Sequence, residues 1–285
     1  MVSDMTRSAS GVRGDGKRIR YGPEGDNSRA VSSRSVLESL TRVTFDEFAR
    51  AVWDTRLSTA DERIRALQEE WTKIKTANAT DLPDELRAAR GRADLAQVIA
   101  RLGQWNHVAD AESVETTWLV LANERRGLAV RRQDTRPYPM LRALVETMEL
   151  LQRRWGRIDV PWGSINRLQR PLPGAAVTLD TTRQSLPVDG VGGLGSVFTF
   201  YSEPFGEAGP RIGVAGNSFV KVVEFGPTIR ARSVLNFGQS GDPASPHFFD
   251  QAALYSRPAF KEAWFAEADV KRNAKRSYVV SGGAK

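Results

Sequence analysis

Between Ser33 and Trp155 apolar side chains recur at every third or fourth residue, the spacing that gathers them on one helix face. Val36, Leu37 and Leu40 open a first helix. Thr44-Phe45-Asp46-Glu47 is a capping box, with Phe45, Phe48, Ala49 and Val52 on the face behind it. A third helix is expected over 60–77, striped by Ile64, Leu67, Trp71 and Ile74. A fourth is expected over 86–105, striped by Leu95, Val98, Ile99 and Leu102, and segments 113–126 and 139–155 complete the set. Pro161–Gly163 and Pro171–Gly174 then break the helical pattern.

From about Ala175 the period falls to two, with glycine punctuation. Strands are expected over 196–201, 219–225 and 229–237, the last two joined by Gly226-Pro227-Thr228 as an antiparallel hairpin. In the first hairpin strand Phe219, Lys221, Val223 and Phe225 face one way and Val220, Val222 and Glu224 the other. So little of it is polar that burial on both faces is expected. Helix returns over 245–256, with Pro246 suited to the first turn, and a short basic helix over 269–277 closes the chain. Helices first and strands later imply an α+β class: a disordered tail over 1–22, a helical segment over 23–158, and a β-rich segment with C-terminal helices over 159–285.

Composition narrows the chemistry. With no cysteine and only His107 and His247, disulfides, thiolate catalysis, iron–sulfur clusters and zinc sites needing Cys or more than two His are excluded. The net charge of +7 permits anionic partners, but the basic residues are not clustered. In the tail Arg7, Arg13, Lys17, Arg18 and Arg20 are diluted by Asp4 and Asp15, and no aromatic residue joins them before Tyr21, so no nucleic-acid partner is expected. No stretch approaches the roughly 18 apolar residues of a membrane span. The first thirty residues hold no apolar core of a secretory signal, so none is expected in this chain.

Three local motifs invite a function and each has a plainer reading. Gly190-Val-Gly-Gly-Leu-Gly195 matches the dinucleotide fingerprint by letters, but it precedes a strand instead of a helix, so no helix N-terminus would face a pyrophosphate. A loop is expected. Ser240, His247 and Asp250 contain the residue types of a hydrolase triad, yet they crowd into eleven residues of a Gly/Pro-rich loop. The expected arrangement is Ser245 capping the next helix and His247 bonding locally; an independent serine hydrolase using Ser240 and His247 is the rival. His107 is expected to be a helix-end or surface side chain, and the adjacent carboxylates Asp46/Glu47 and Glu69/Glu70 should diverge on their helices.

Several runs together resemble one family. Gly238-Gln-Ser-Gly-Asp-Pro-Ala-Ser-Pro-His-Phe-Phe-Asp-Gln251 with Leu254-Tyr255 resembles the C-terminal signature of the penicillin acylases, which include acyl-homoserine-lactone acylases. Gly213-Val-Ala-Gly-Asn-Ser-Phe-Val-Lys-Val-Val-Glu-Phe225 resembles a strand of that family, Val160-Pro-Trp-Gly-Ser-Ile-Asn-Arg-Leu168 its "W-G-x-x-x-R-L" turn, and Leu186-Pro-Val-Asp-Gly190 the loop after it. Gly25-Asp-Asn-Ser-Arg-Ala30 resembles the family's "D-N-x-R-A" opening of a helical segment. The matches fall in the family's order from about Gly22 to the end.

The resemblance implies an N-terminal-nucleophile hydrolase with an αββα sandwich. A self-cleaved precursor exposes a serine whose own α-amine is the general base, so no histidine is needed. Backbone N–H groups and an asparagine hold the oxyanion. It implies acylated amines as substrates, such as β-lactam side-chain amides or N-acyl homoserine lactones, and a periplasmic or secreted location. It also implies that the nucleophile, its cleavage site and the oxyanion asparagine lie before "D-N-x-R-A". No catalytic residue is therefore assigned here, and the neighbours of Asn27 do not match the asparagine motif. Arg29 corresponds to an arginine near the family's acyl pocket and is the one substrate-binding candidate; its plainer reading is a helix-start salt bridge. No cofactor and no metal is assigned, because the calcium of some members is bound mainly by upstream residues. The expected function is the C-terminal part of an amidohydrolase, inactive without the missing N-terminal half. The alternative is a non-catalytic scaffold or interaction module of the same fold, with unpaired strand edges.

Overall fold

The computed structural model of the chain describes residues 26–277 and the backbone of Ser10–Val12 and Arg18–Arg20, which pair as strands β1 and β2. The rest of the expected tail lies outside the described residues.

The capping box forms as its residues dictate. The Thr44 hydroxyl accepts from Glu47 N–H, the Glu47 carboxylate accepts from Thr44 N–H at 2.8 Å, and α2 runs Phe45–Ala51. Before it lies α1, Ser28–Glu38, capped by Asn27. Helix α3 spans Ala60–Thr76. The expected helix over 86–105 is two: α4, Asp84–Arg90, and α5, Ala93–Gln104, separated at Gly91-Arg92. The kink lets α4 bury Leu86 and Ala89 while α5 buries Leu95, Val98, Ile99 and Leu102. Helix α6, Val114–Arg131, outruns its expected end by a full turn, and α7 spans Pro139–Trp155. The first half of α6 is buried on every side, Thr116 through Ala122, with α5 and α7 packed against it and α3 packed on those two. The N-terminus of α7 has no side-chain cap of its own. Glu70 of α3 supplies one, accepting from Leu141 N–H at 2.8 Å.

The proline break at Pro161–Gly163 holds a short helix, α8, Trp162–Ile165, that leads directly into β3, Asn166–Leu168. Strands β4, Leu186–Pro187, β5, Phe200–Glu203, and β6, Arg211–Gly216, join it in the order β4-β3-β6-β5. Here β3 and β6 run parallel and the other pairs antiparallel. A second sheet has the order β7-β8-β9, all antiparallel, from Phe219–Glu224, Arg230–Leu235 and Lys261–Glu262. The expected hairpin is β7–β8, in register from Phe219 opposite Leu235 to Glu224 opposite Arg230.

Three further expectations need correction. The strand expected over 196–201 begins only at Phe200, because Ser196 to Thr199 bond to loops: Phe198 N–H donates to Asp54 O at 2.8 Å and the Ser196 hydroxyl to Phe198 O at 2.7 Å. Strand β7 is buried on one face only. Val220 and Val222 pack inward, while Phe219 and Phe225 are 55% and 83% exposed, since no further layer covers their side of the sheet among the described residues. The helix expected over 245–256 is a run of turns that becomes helical only at α9, Ala252–Tyr255, because the side chains of Asp242 and Ser245 bond backbone N–H groups two residues on. The closing helix, α10, is Glu267–Asn273.

The chain is therefore α+β, with a helical N-terminal half and a largely antiparallel C-terminal half. Three buried clusters form among the described residues: a helical one that also takes in Trp162, Ile165, Val191 and Leu194 of the C-terminal half, one under the sheets, and a small one of Phe45, Ala49 and Val222. The helical cluster gathers Leu67, Leu102, Trp118, Leu121 and Leu144. The cluster under the sheets gathers Phe198, Phe200, Val220, Val234 and Tyr255 around Trp53, which the helical half contributes. Trp53 meets Phe198 at 4.8 Å between ring centroids and Tyr255 edge-on at 5.7 Å.

Candidate functional site

Helix α1 begins at Ser28 because the Asn27 side chain accepts from Ala30 N–H at 2.9 Å. This cap aims Arg29, in the first turn, at the β-rich half. Its Nε donates to Val197 O at 3.1 Å and its Nη2 to Asn217 Oδ1 at 3.2 Å. The expected helix-start salt bridge is made by a different residue: Arg34 pairs bidentately with Asp26 and lowers the carboxyl below its ordinary range. Arg29 instead bonds neutral oxygens.

The glycine-rich run forms the platform for this junction. It is a loop, as its strand-side context predicts, and no helix follows it. Gly195 holds φ near +83°, and a Cβ there would stand 2.2 Å from the Ser58 hydroxyl. Its carbonyl accepts from the Ser32 and Ser58 hydroxyls, and Ser58 also bonds Ser28 O. The loop is thus used through its carbonyls, which tie α1 to the β half, in a geometry opposite to the N–H cradle of a phosphate site.

Asn217 stands where β6 ends. Its Oδ1 also accepts from Thr199 N–H at 2.9 Å and the Thr199 hydroxyl at 3.0 Å, and its backbone carbonyl accepts from the Tyr255 phenol at 2.7 Å. Burial pushes the Tyr255 phenol well above its ordinary range, so it stays a neutral donor. Beside this knot lies an open groove of about 450 Å³, walled by Leu168, Phe200, Val214, Phe237 and Tyr255 and reached by Asn217. Arg29 is not in its wall; Asn217 stands between. Asn217 had no place among the sequence candidates. Its signal was the Gly-Asn-Ser turn between two strands, which reads as a simple connection until the partners from 29, 199 and 255 converge on it.

The triad-like residues do not assemble into one. His247 Nδ1 lies 2.8 Å from Asp250 Oδ2, and the Ser240 hydroxyl accepts from Asp242 N–H at 3.1 Å. Among the described residues no hydrogen bond joins Ser240 Oγ to the imidazole. The loop is held by Arg170, whose Nη1 donates to Ser240 O at 2.6 Å and Phe248 O at 2.7 Å while its guanidinium stacks over Phe248. His107 lies 3.7 Å from Asp61 and edge-on to Trp105. The adjacent carboxylates diverge as expected: Glu47 closes the capping box while Asp46 pairs with Arg232 at 2.6 Å. Among the described residues no group of three or more His, Asp and Glu side chains is placed to hold a metal ion, and no helix is long and apolar enough to cross a membrane.

A family described as penicillin amidase matches residues 12–272. The chain is similar to the acyl-homoserine lactone acylase PvdQ of Pseudomonas putida, with 27% identity over 259 residues, 86% of this chain and 30% of that protein. It is 35% identical over 88 residues to the aculeacin-A acylase of Actinoplanes utahensis, covering 30% of this chain and 11% of that one. It is also similar to a thermostable penicillin G acylase from Alcaligenes faecalis, at 14% identity and a TM-score of 0.27, over 89% of this chain and 46% of that one.

Proposed function

The chain belongs to the penicillin amidase family, and on that premise we propose that it is the C-terminal part of an acylase that hydrolyses linear amide C–N bonds in acylated amines, such as β-lactam side-chain amides or N-acyl homoserine lactones. Amide hydrolysis is the activity of this family's acylases. The observation that carries the narrower reading is the family match along most of the chain, against a relative of which the chain spans 30%.

The chemistry follows from the family resemblance. A serine hydroxyl at a freed N-terminus attacks the amide carbonyl while its own α-amine takes the proton. Hydrogen-bond donors stabilise the oxyanion, the amine leaves protonated, and water then releases the acid from the acyl-serine. No serine here sits in a matching motif, so the nucleophile is assigned to the part of the relatives' length that this chain does not span. The contribution of this chain is Arg29. Two of its five N–H groups are bonded, to Val197 O and Asn217 Oδ1. The other three have no hydrogen-bond partner among the described residues and suit a carbonyl or carboxylate oxygen of a bound substrate. Its partners are the N-terminal part of the acylase and a small acylated amine, and its location is periplasmic or secreted.

The test is an acylase assay with an N-acyl homoserine lactone and a phenylacetyl amide, on this chain alone and mixed with an N-terminal part from a relative. No turnover is expected from the chain alone, and turnover on mixing, lost when the partner's N-terminal serine is replaced. Turnover by the chain alone overturns the reading. The buried apolar clusters favour a second reading, a scaffold that folds by itself. Cooperative unfolding of a monodisperse chain that never yields turnover on mixing supports that one.

A further inference from the structure

Three donors converge on one oxygen, Asn217 Oδ1, and only one of them belongs to Arg29. The other two come from Thr199, so the oxygen is in place whether or not the guanidinium arrives. The backbone of Asn217 is fixed as well. Its N–H donates to Thr199 O at 3.1 Å, its carbonyl accepts from the Tyr255 hydroxyl at 2.7 Å, and Gly216 before it holds φ near +139°, where a Cβ would lie 2.4 Å from Thr199 O. Tyr255 is anchored in turn by ring contacts with Trp53, Phe198 and Phe200. The second acceptor for Arg29, Val197 O, sits on the loop whose next residues enter the same aromatic cluster.

Two acceptors, one for Nε and one for Nη2, fix a planar guanidinium in rotation as well as position. A single ion pair would leave it free to swivel. We propose that Asn217, backed by Thr199 and Tyr255, is a positioning residue that sets the plane of Arg29 toward a bound acylated amine. The proposal rests on the assignment of Arg29 to the substrate side. Asn217 reaches the adjoining groove, so the residue that orients Arg29 also touches the space beside it.

The test reads Arg29 directly, in the full chain, by the hydrogen exchange of its Nε–H in NMR spectra, assigned by its loss in Arg29→Lys. A slowly exchanging signal is expected in the parent protein. Asn217→Ala should speed exchange about tenfold, Tyr255→Phe by a smaller factor, and Asn217→Asp, which keeps the acceptor oxygen, should preserve the slow signal. A packing role alone would not be restored by a charged isostere. An Arg29 signal unchanged in Asn217→Ala overturns the proposal; should that variant not fold, an unchanged signal in Tyr255→Phe overturns it. In the acylase reconstituted by mixing, Asn217→Ala should raise KM about tenfold while kcat stays within about twofold. If mixing yields no turnover, the acylase reading fails while the exchange measurement still decides the positioning of Arg29.

Discussion

Glu124 of α6 and Arg211 of β6 form a buried ion pair where the helical half meets the larger sheet. Arg211 Nη1 donates to both carboxylate oxygens, at 3.0 and 2.8 Å, and Gly206 N–H donates to Oε2 at 2.9 Å. The side chains are 11% and 1% exposed, and the guanidinium lies 5.2 Å over the Trp162 ring. Replacing Glu124 by alanine leaves a cation and an N–H group buried without their acceptor. An uncompensated buried charge costs about 3–5 kcal/mol and an orphaned N–H about 1–3 kcal/mol. Water entering the vacated space relieves part of both, so the expected loss is about 4 kcal/mol, most of the stability of a marginal domain. Urea unfolding followed by tryptophan fluorescence measures it. The double replacement Glu124→Leu with Arg211→Met removes both charges and keeps an apolar contact on Trp162, so it should recover most of the loss. The pH dependence adds a check of sign. Burial, the largest influence, raises the Glu124 carboxyl above its ordinary 4.5, and Arg211 opposes it. The native carboxyl then holds its proton more readily than the unfolded one, so this group's contribution to stability falls as pH rises from 4.5 through the raised native value. Glu124→Gln should remove that slope. A cost below about 1 kcal/mol for Glu124→Ala, or a double variant less stable than Glu124→Ala, refutes the reasoning.

Two further outcomes are expected. A Cβ on Gly238 would stand 2.1 Å from His247 O, whereas one on Gly241 would meet nothing within 4 Å. Gly238→Ala should therefore lose about 1–3 kcal/mol, seen as a lower urea midpoint at unchanged slope, while Gly241→Ala stays within about 0.5 kcal/mol; equal midpoints contradict the close approach. A fluorophosphonate probe should leave the chain unlabelled, since the Ser240 hydroxyl bonds Asp242 N–H; labelling that disappears in Ser240→Ala would restore the rival hydrolase.

Short-range features of the fold were legible in the chain itself. The capping box, the span of α7 and the β7–β8 hairpin follow from contacts within a few residues, where spacing and turn chemistry act directly. The family was legible too, because its motifs are stretches of local sequence in a fixed order. What the sequence misread depends on neighbours distant along the chain. The apolar run of β7 suggested two buried faces, yet burial is decided by the layer opposite, and Phe219 and Phe225 meet none. The strand at 196–201 lost its first four residues to hydrogen bonds with loops. Arg29 was legible as a candidate, but its partners were not. A guanidinium beside Asp26 in sequence is naturally given a carboxylate. Only the packing of α1 onto the Gly195–Val197 loop and the end of β6, residues 168 and 188 positions away, gives it Val197 O and Asn217 Oδ1 instead. Local sequence sets which backbone groups pair nearby, while the shared burial of Trp53, Phe198 and Tyr255 sets which distant oxygens the helix start meets.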